Sequence, residues 1–162
     1  MITRENTNYW KDHEITQEEC LQITKIHRAL VLKAMHKLFW ITEDLWKKHD
    51  KDKEISKNLE EYTYLLNHPW DEDAHKKRKE LHNYNNPHHV EWFMACDRPN
   101  IQFLIEMVCD NVATAIARNA KYENIFEENK ERYMQKWFSE NIAVICTNTF
   151  IDIRNSFKQN HS

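Results

Sequence analysis

The sequence predicts one all-α domain, a bundle of about six to eight helices. Three observations predict it. Glycine is absent and proline occurs only three times, although average usage would supply about eleven glycines. Thr16-Gln-Glu-Glu19 has the spacing of a capping box, directly before a long tract of apolar residues at helical spacing. Later tracts repeat the pattern, each behind a polar start residue.

The first helix opens at Thr16, with Leu21, Ile23, Ile26, Leu30, Val31, Ala34 and Leu38 on one face. No breaker residue follows before Asp50, so propensity alone allows one helix over about 17–48. A turn near Phe39 to Asp44 is nevertheless expected, with Thr42 as the new N-cap. An unbroken helix would hold His27 and His49 about 33 Å apart, too far to share a metal. Further helices are expected over 56–67 with Ser56 as cap, and over 71–83 with Asp71 as cap. Pro87 fits the first position of a short helix carrying His88, His89 and Trp92. The remaining helices are expected over 101–120 (Asn100 cap), 123–135 and 139–158. The last of these, with Ile142, Val144, Ile145, Phe150 and Ile151, reads as core support.

At 162 residues the chain fits one domain spanning 1–162. Without glycine, hairpin turns of type I′ and αL helix caps are awkward. Walker and Rossmann phosphate loops are excluded, so phosphate chemistry here must use metal ions and side chains. The net charge of −3 gives no strong nucleic-acid-binding signal. The one dense basic run, His75-Lys76-Lys77-Arg78-Lys79, reads as a solvated helix face, with a phosphate-attracting rim as the alternative. Cys20, Cys96, Cys109 and Cys146 are widely spaced and read as reduced and mostly buried. No tract is long and apolar enough to span a membrane, and the first residues lack an apolar signal core. A cytoplasmic location is expected, in the host cytoplasm if phage-encoded. A homo-oligomer is compatible with the sequence.

Chemistry concentrates in an ordered series: His27, His49-Asp50, His82, His88-His89 and Asp110. Imidazole with carboxylate is the ligand set of borderline divalent transition metals. The expected cofactor is one or two such ions, from among Mn, Fe, Zn, Co and Ni. Asp50 can bridge two ions about 3.5–4 Å apart. It is therefore both a ligand and a catalytic candidate. Lys53, three residues on, is the ammonium expected to bind a substrate phosphate and the second catalytic candidate. Three histidines fall within His82–His89, among amides and beside Pro87.

Glu106 and Asp110 lie four apart on an otherwise apolar helix, where a carboxylate is costly unless paired or coordinating. Asp110 reads as a ligand, the alternative being a buried salt bridge with Arg118. Glu106 and Glu91 are candidates to orient ligand histidines from outside the coordination sphere. His68 competes with His82 for the middle ligand position. His13, His36 and His161 are set aside. Trp70, Tyr84 and Trp92 could stack on a base, although core positions are the preferred reading.

On these residues the chain resembles the HD superfamily of metal-dependent phosphohydrolases. Its pattern of a His, a His-Asp pair and a later Asp would be His27, His49-Asp50 and Asp110. The extra histidines, and Lys53 after Asp50, look most like the HD-GYP phosphodiesterases. The glycine-bearing part of that motif is missing, so cyclic-di-GMP specificity does not carry over. The chain looks closer still to a family of small uncharacterised phage and bacterial proteins, catalogued as a domain of unknown function. That likeness covers roughly residues 24–150. It rests on Thr24-x-x-His27, His49-Asp50-x-x-Lys53, His82 through Glu91, Leu104-Ile-Glu106-Met-x-Cys-Asp110 and Asn129-Lys-x-Arg132.

The resemblance implies an HD-like helical bundle. The expected activity is hydrolysis, by a metal-activated water, of a phosphomonoester or phosphodiester in a nucleotide or similar small molecule. Two alternatives stand beside it: a mixed-valent di-iron oxygenase of HD type, and a non-enzymatic phage interaction protein that keeps a metal.

Overall fold

The computed structural model describes residues 14–36, 47–95, 101–136 and 138–158, with no strand among them. Among the described residues seven α-helices make the bundle: α1 (Gln17–Met35), α2 (Ser56–Asn67), α3 (Glu72–Asn85), α4 (Val90–Ala95), α5 (Ile101–Ala117), α6 (Ile125–Gln135) and α7 (Glu140–Lys158). A 3₁₀ turn, Lys51–Glu54, precedes α2. No described helix is long and apolar enough to cross a membrane.

The capping box forms as the spacing requires. The Thr16 hydroxyl accepts from the Glu19 amide at 3.2 Å, and the Thr16 amide donates to the Glu19 carboxylate at 2.9 Å. Just before it, Ile15 exchanges two hydrogen bonds with the Asn67 side chain, which pins the entry of α1 to the end of α2. α1 stops at Met35, with His36 as its exposed C-cap. The expected turn at Phe39 to Asp44, with Thr42, lies outside the described residues. So does the expected Asn100 cap. Beyond the gap the chain has returned to α1, where Arg28 donates to the Lys47 carbonyl at 2.9 Å and pairs with Glu54.

Several boundaries differ from expectation. Ile55, not Ser56, is the N-cap of α2, without a side-chain cap. The short helix starts at Val90 rather than Pro87, because residues 87–89 form a turn closed by the His89 amide on the Asn86 carbonyl at 3.1 Å. That turn leaves His88 and His89 free of a helical face. α5 ends at Ala117, short of 120. There Asn119 takes the left-handed conformation at φ 49°. The amides of Asn119 and Ala120 return to the carbonyls of Ile116 and Ala115. This is a Schellman cap with asparagine in the usual glycine place, and it answers how a glycine-free chain ends a helix. Asp71, as expected, accepts from the Ala74 amide at 2.9 Å. α3 then runs to Asn85 rather than 83.

α5 is the central helix. Leu104, Val108, Val112 and Ala115 repeat at three to four residues and are buried against Val31, Ala34 and Met35 of α1 and against Ala143, Cys146 and Phe150 of α7. α6 closes this core with Tyr133. On the other side of α1, Ile15, Cys20 and Leu59 form a smaller apolar cluster. α3 and α4 pack on each other beyond it. The Glu106–Asp110 edge of α5 and the His27 turn of α1 both face this second region. Cys20, Cys109 and Cys146 are buried free thiols; Cys96 lies outside the described residues.

Candidate metal centre

Asp50 organises the site. It is a non-glycine residue in the left-handed region, at φ 51° and ψ 21°. Aspartate tolerates this conformation better than most residues, but it still carries strain of the kind held at functional sites. The local fold enforces it: a helical turn ends at Lys48 and the 3₁₀ turn begins at Lys51. The result turns a carboxylate with 1% exposure into the bundle.

Its two oxygens face different partners. Oδ2 lies 3.5 Å from His27 Nε2 and 3.6 Å from His49 Nε2. Asp110 Oδ1 completes this set at 2.9 Å from His27 and 3.6 Å from His49, while the two imidazole Nε2 atoms are 3.4 Å apart. Oδ1 lies 3.2 Å from His82 Nε2 and 3.4 Å from His88 Nε2. His89 stands with His82 and His88, with ring centroids 4.7 and 4.4 Å away.

These spacings fit bound ions. Ligand atoms about 2.1 Å from one ion lie roughly 3.0–3.4 Å from each other in octahedral or tetrahedral arrangement. In the set of His27, His49, Asp50 and Asp110, the contacts of the two imidazoles with each other and with the two carboxylates, 2.9–3.6 Å, fall in or near that range. Among the described residues ten buried polar atoms lack a hydrogen-bond partner, and Asp50 Oδ1, His82 Nε2 and His89 Nε2 are three of them. Orphaned atoms of this kind are rare in folded proteins, and all three are ligand atoms meeting at one place. The described clusters of His, Asp and Glu can therefore chelate a metal.

A second layer of carboxylates sets the imidazoles. Glu106 Oε1 is 3.0 Å from His49 Nδ1 and 3.3 Å from His88 Nδ1. Protons on both Nδ1 atoms serve that carboxylate, leaving both Nε2 lone pairs aimed at the centre. Asp52 does the same for His82, at 3.0 Å from Nδ1. With that proton given to Asp52, the neighbouring Asn86 amide serves the His82 carbonyl at 2.8 Å. Arg78 in turn holds Asp52 at 3.4 Å and Glu61 at 3.1 Å.

The electrostatics follow from this packing. Burial alone would lower the His49 pKa, but Asp50, Asp110 and Glu106 override it and raise it to about 10. The surrounding carboxylates thus favour a second proton on His49, which a bound ion would have to displace to use the Nε2 lone pair. Burial likewise opposes charge on Asp50, yet Lys53 and His49 hold its carboxyl well below the usual range. At His89 the support from Asp110 and Asp50 is outweighed. Burial, with His88 and His82 beside it, pushes its pKa down to about 2, so it stands as a neutral imidazole.

The structure brings His27, His49, Asp50, His82, His88, His89 and Asp110 together. His82, rather than His68, stands at Asp50; His68 instead stacks on Tyr64 at 4.1 Å and contacts the Tyr64 carbonyl. Asp110 pairs with His27 and His49 instead of Arg118. Lys53 Nζ is 2.6 Å from Asp50 Oδ2 and borders a cavity beside the centre. Glu91 accepts from Asn83 at 2.8 Å, and no described histidine is bonded to it. Trp70 and Tyr84 are not core residues, being 72% and 59% exposed. Trp92 is half-buried, edge-on to Phe103 at 5.0 Å. Asp52 is the site residue that sequence reasoning missed. His13 and His161 lie outside the described residues.

A family model described as "Family of unknown function (DUF5662)" matches residues 16–151. The chain belongs to that family. Comparison with curated proteins gave no match, and comparison with solved structures gave none.

Proposed function

We propose that this member of a family of unknown function is a metal-dependent phosphohydrolase of HD type, acting on a phosphomonoester or phosphodiester of a small molecule. The observation that carries the reading is Asp50. One carboxylate turns each oxygen toward a separate imidazole set, the arrangement a bridging ligand between two ions requires. The order of residues along the chain, His27, His49-Asp50, His82, His88-His89 and Asp110, supports the HD kinship.

His27, His49, Asp50 and Asp110 would hold one ion, and Asp50 with His82, His88 and His89 the other. When bound, such a pair supplies an activated water and neutralises charge on phosphoryl oxygens. The chain's own residues prepare the site. Glu106 and Asp52 fix the tautomers of His49, His88 and His82. Lys53 stays cationic: burial opposes its charge, but Asp50 raises its pKa well above the ordinary value. Its ammonium, at the cavity edge, is positioned to bind a phosphoryl oxygen. The buried thiols, free in the described residues, suit a reducing cytoplasm.

The test is a panel of phosphomonoesters and phosphodiesters with protein loaded with Mn²⁺, Fe²⁺, Zn²⁺, Co²⁺ or Ni²⁺. Phosphate-ester cleavage should appear with metal, vanish on chelation and be absent in Asp50→Ala. Turnover that survives chelation would sink the proposal. A second reading, a di-iron oxygenase, is favoured by the all nitrogen-and-oxygen ligand set with one shared carboxylate. Oxygen consumption by the iron-loaded protein without ester cleavage would select it.

A further inference from the structure

The cavity beside the centre reaches well past the ligands. It encloses about 540 Å³, within the size range of small-molecule sites. His27, Asp50, His82 and Asp110 form one part of its lining. Much of the rest is aliphatic. Ile23 and Ile26 come from α1, Leu65 and Leu66 from α2, and Ala117 from α5. This wall is a seam between the two apolar clusters. Ile26 and Ala117 are packed against the main core, whereas Ile23 and Leu66 are packed against the smaller one. These four side chains are only partly buried, so apolar surface remains facing the cavity.

Two further features narrow what fits. Tyr62, the aromatic ring on this wall, is already engaged. Lys53 and Arg78 sit over it at 5.5 and 4.6 Å, and His82 meets it edge-on at 6.1 Å. The surface available for an organic group is therefore chiefly aliphatic, rather than a platform for a nucleobase. At the rim stand the exposed cations Lys76, Lys79 and Arg118. The basic run in α3 is thus part of the cavity edge as well as a solvated face.

We propose that this cavity selects an aliphatic phosphate ester, with its chain along Ile23, Ile26, Leu66 and Ala117 and its phosphate at the metals. The rim cations attract the anion, and the aliphatic seam reads the chain. This rests on the phosphohydrolase reading for the placement of the phosphate, and it replaces the expected nucleotide with an aliphatic alcohol as the ester's organic half.

Calorimetric titration of the Mn²⁺-loaded protein with methyl-, butyl- and octylphosphonate tests it. Their C–P bonds are not cleaved by ester hydrolysis, so binding is read without turnover. Affinity should rise about fourfold per methylene that enters the seam. Leu66→Asn and Ile23→Asn should flatten that rise, with helix content and metal content checked alongside. Lys79→Ala with Arg118→Ala should weaken the whole series in parallel. Equal affinity across the series would overturn the proposal, as would a nucleoside phosphonate binding more tightly than octylphosphonate. A slope retained in both wall variants would also overturn it. Turnover of alkyl phosphates is scored separately. A rising series without turnover contradicts the phosphohydrolase and leaves the cavity's selectivity standing; turnover with a flat series does the reverse.

Discussion

Around Phe150 and Tyr133, where α1, α5, α6 and α7 meet, the buried surface is mostly apolar, with Asn129 and Thr147 as its buried polar side chains; around Asp50 it is imidazole and carboxylate. The first region buries Val31, Met35, Val108, Val112, Tyr133 and Phe150 almost completely. The second has the small dry cluster of Ile15, Cys20 and Leu59, and beside it buries His49, Asp50, Arg78, His82, Asn83 and His88. Apolar burial stabilises the first region without help. Buried ligand atoms without partners cost free energy in the second until something satisfies them. One helix serves both: α5 gives Val108 and Val112 to the core, and Glu106 and Asp110 to the site. The difference predicts that hydrogen-exchange protection of the polar half, unlike that of the apolar half, should depend on added metal.

The largest effect should come from Asp50→Ala, which removes the ligand shared by both sets. Turnover should fall by roughly a thousandfold or more, and the protein should retain fewer ions, while the α5–α7 half keeps its hydrogen-exchange protection. Phe150→Ala attacks the other half. It should cost about 3–5 kcal/mol in denaturant unfolding, by the same amount with and without chelator. If chelation lowered protection equally in both halves, the comparison would be wrong.

Glu106→Gln should be milder, because every ligand remains. Loss of the carboxylate behind His49 and His88 should weaken metal binding by about 10–100-fold, read by competition with a chelator. Asp52→Asn should weaken only the ion on the His82 side. The smallest effect belongs to the helix cap. Asn119→Ala should cost about 1 kcal/mol in thermal unfolding, from the left-handed backbone, whereas Asn119→Gly should be close to neutral.

Much of this division was legible in the sequence. Helical spacing located α2 at its observed bounds although its cap is Ile55 rather than Ser56, and the capping box located the start of α1. The adjacency of His49 and Asp50 marked the centre, because two ligand types side by side are hard to place by packing alone. What escaped was tertiary or conformational. Asp52 sits in a run of alternating charges with no period to read, and its partner His82 is 30 residues away. Residues 51–54 form a 3₁₀ turn too short to leave a periodic trace. Pro87 suited a helix start, but the turn that aims His88 and His89 inward delays the helix to Val90. The absence of glycine suggested a chain poor in left-handed turns. Asp50 and Asn119 supply them instead, one at the site and one at a helix end.

The central claim is that Asp50 is shared between two ions. Elemental analysis of tag-free protein, after saturation with metal and removal of the excess, tests it directly when wild type is compared with His82→Ala. The account predicts about two ions per wild-type chain and about one in His82→Ala, retained on His27, His49, Asp50 and Asp110. A wild-type chain that holds no metal, or a His82→Ala chain that holds as much as wild type, would contradict it.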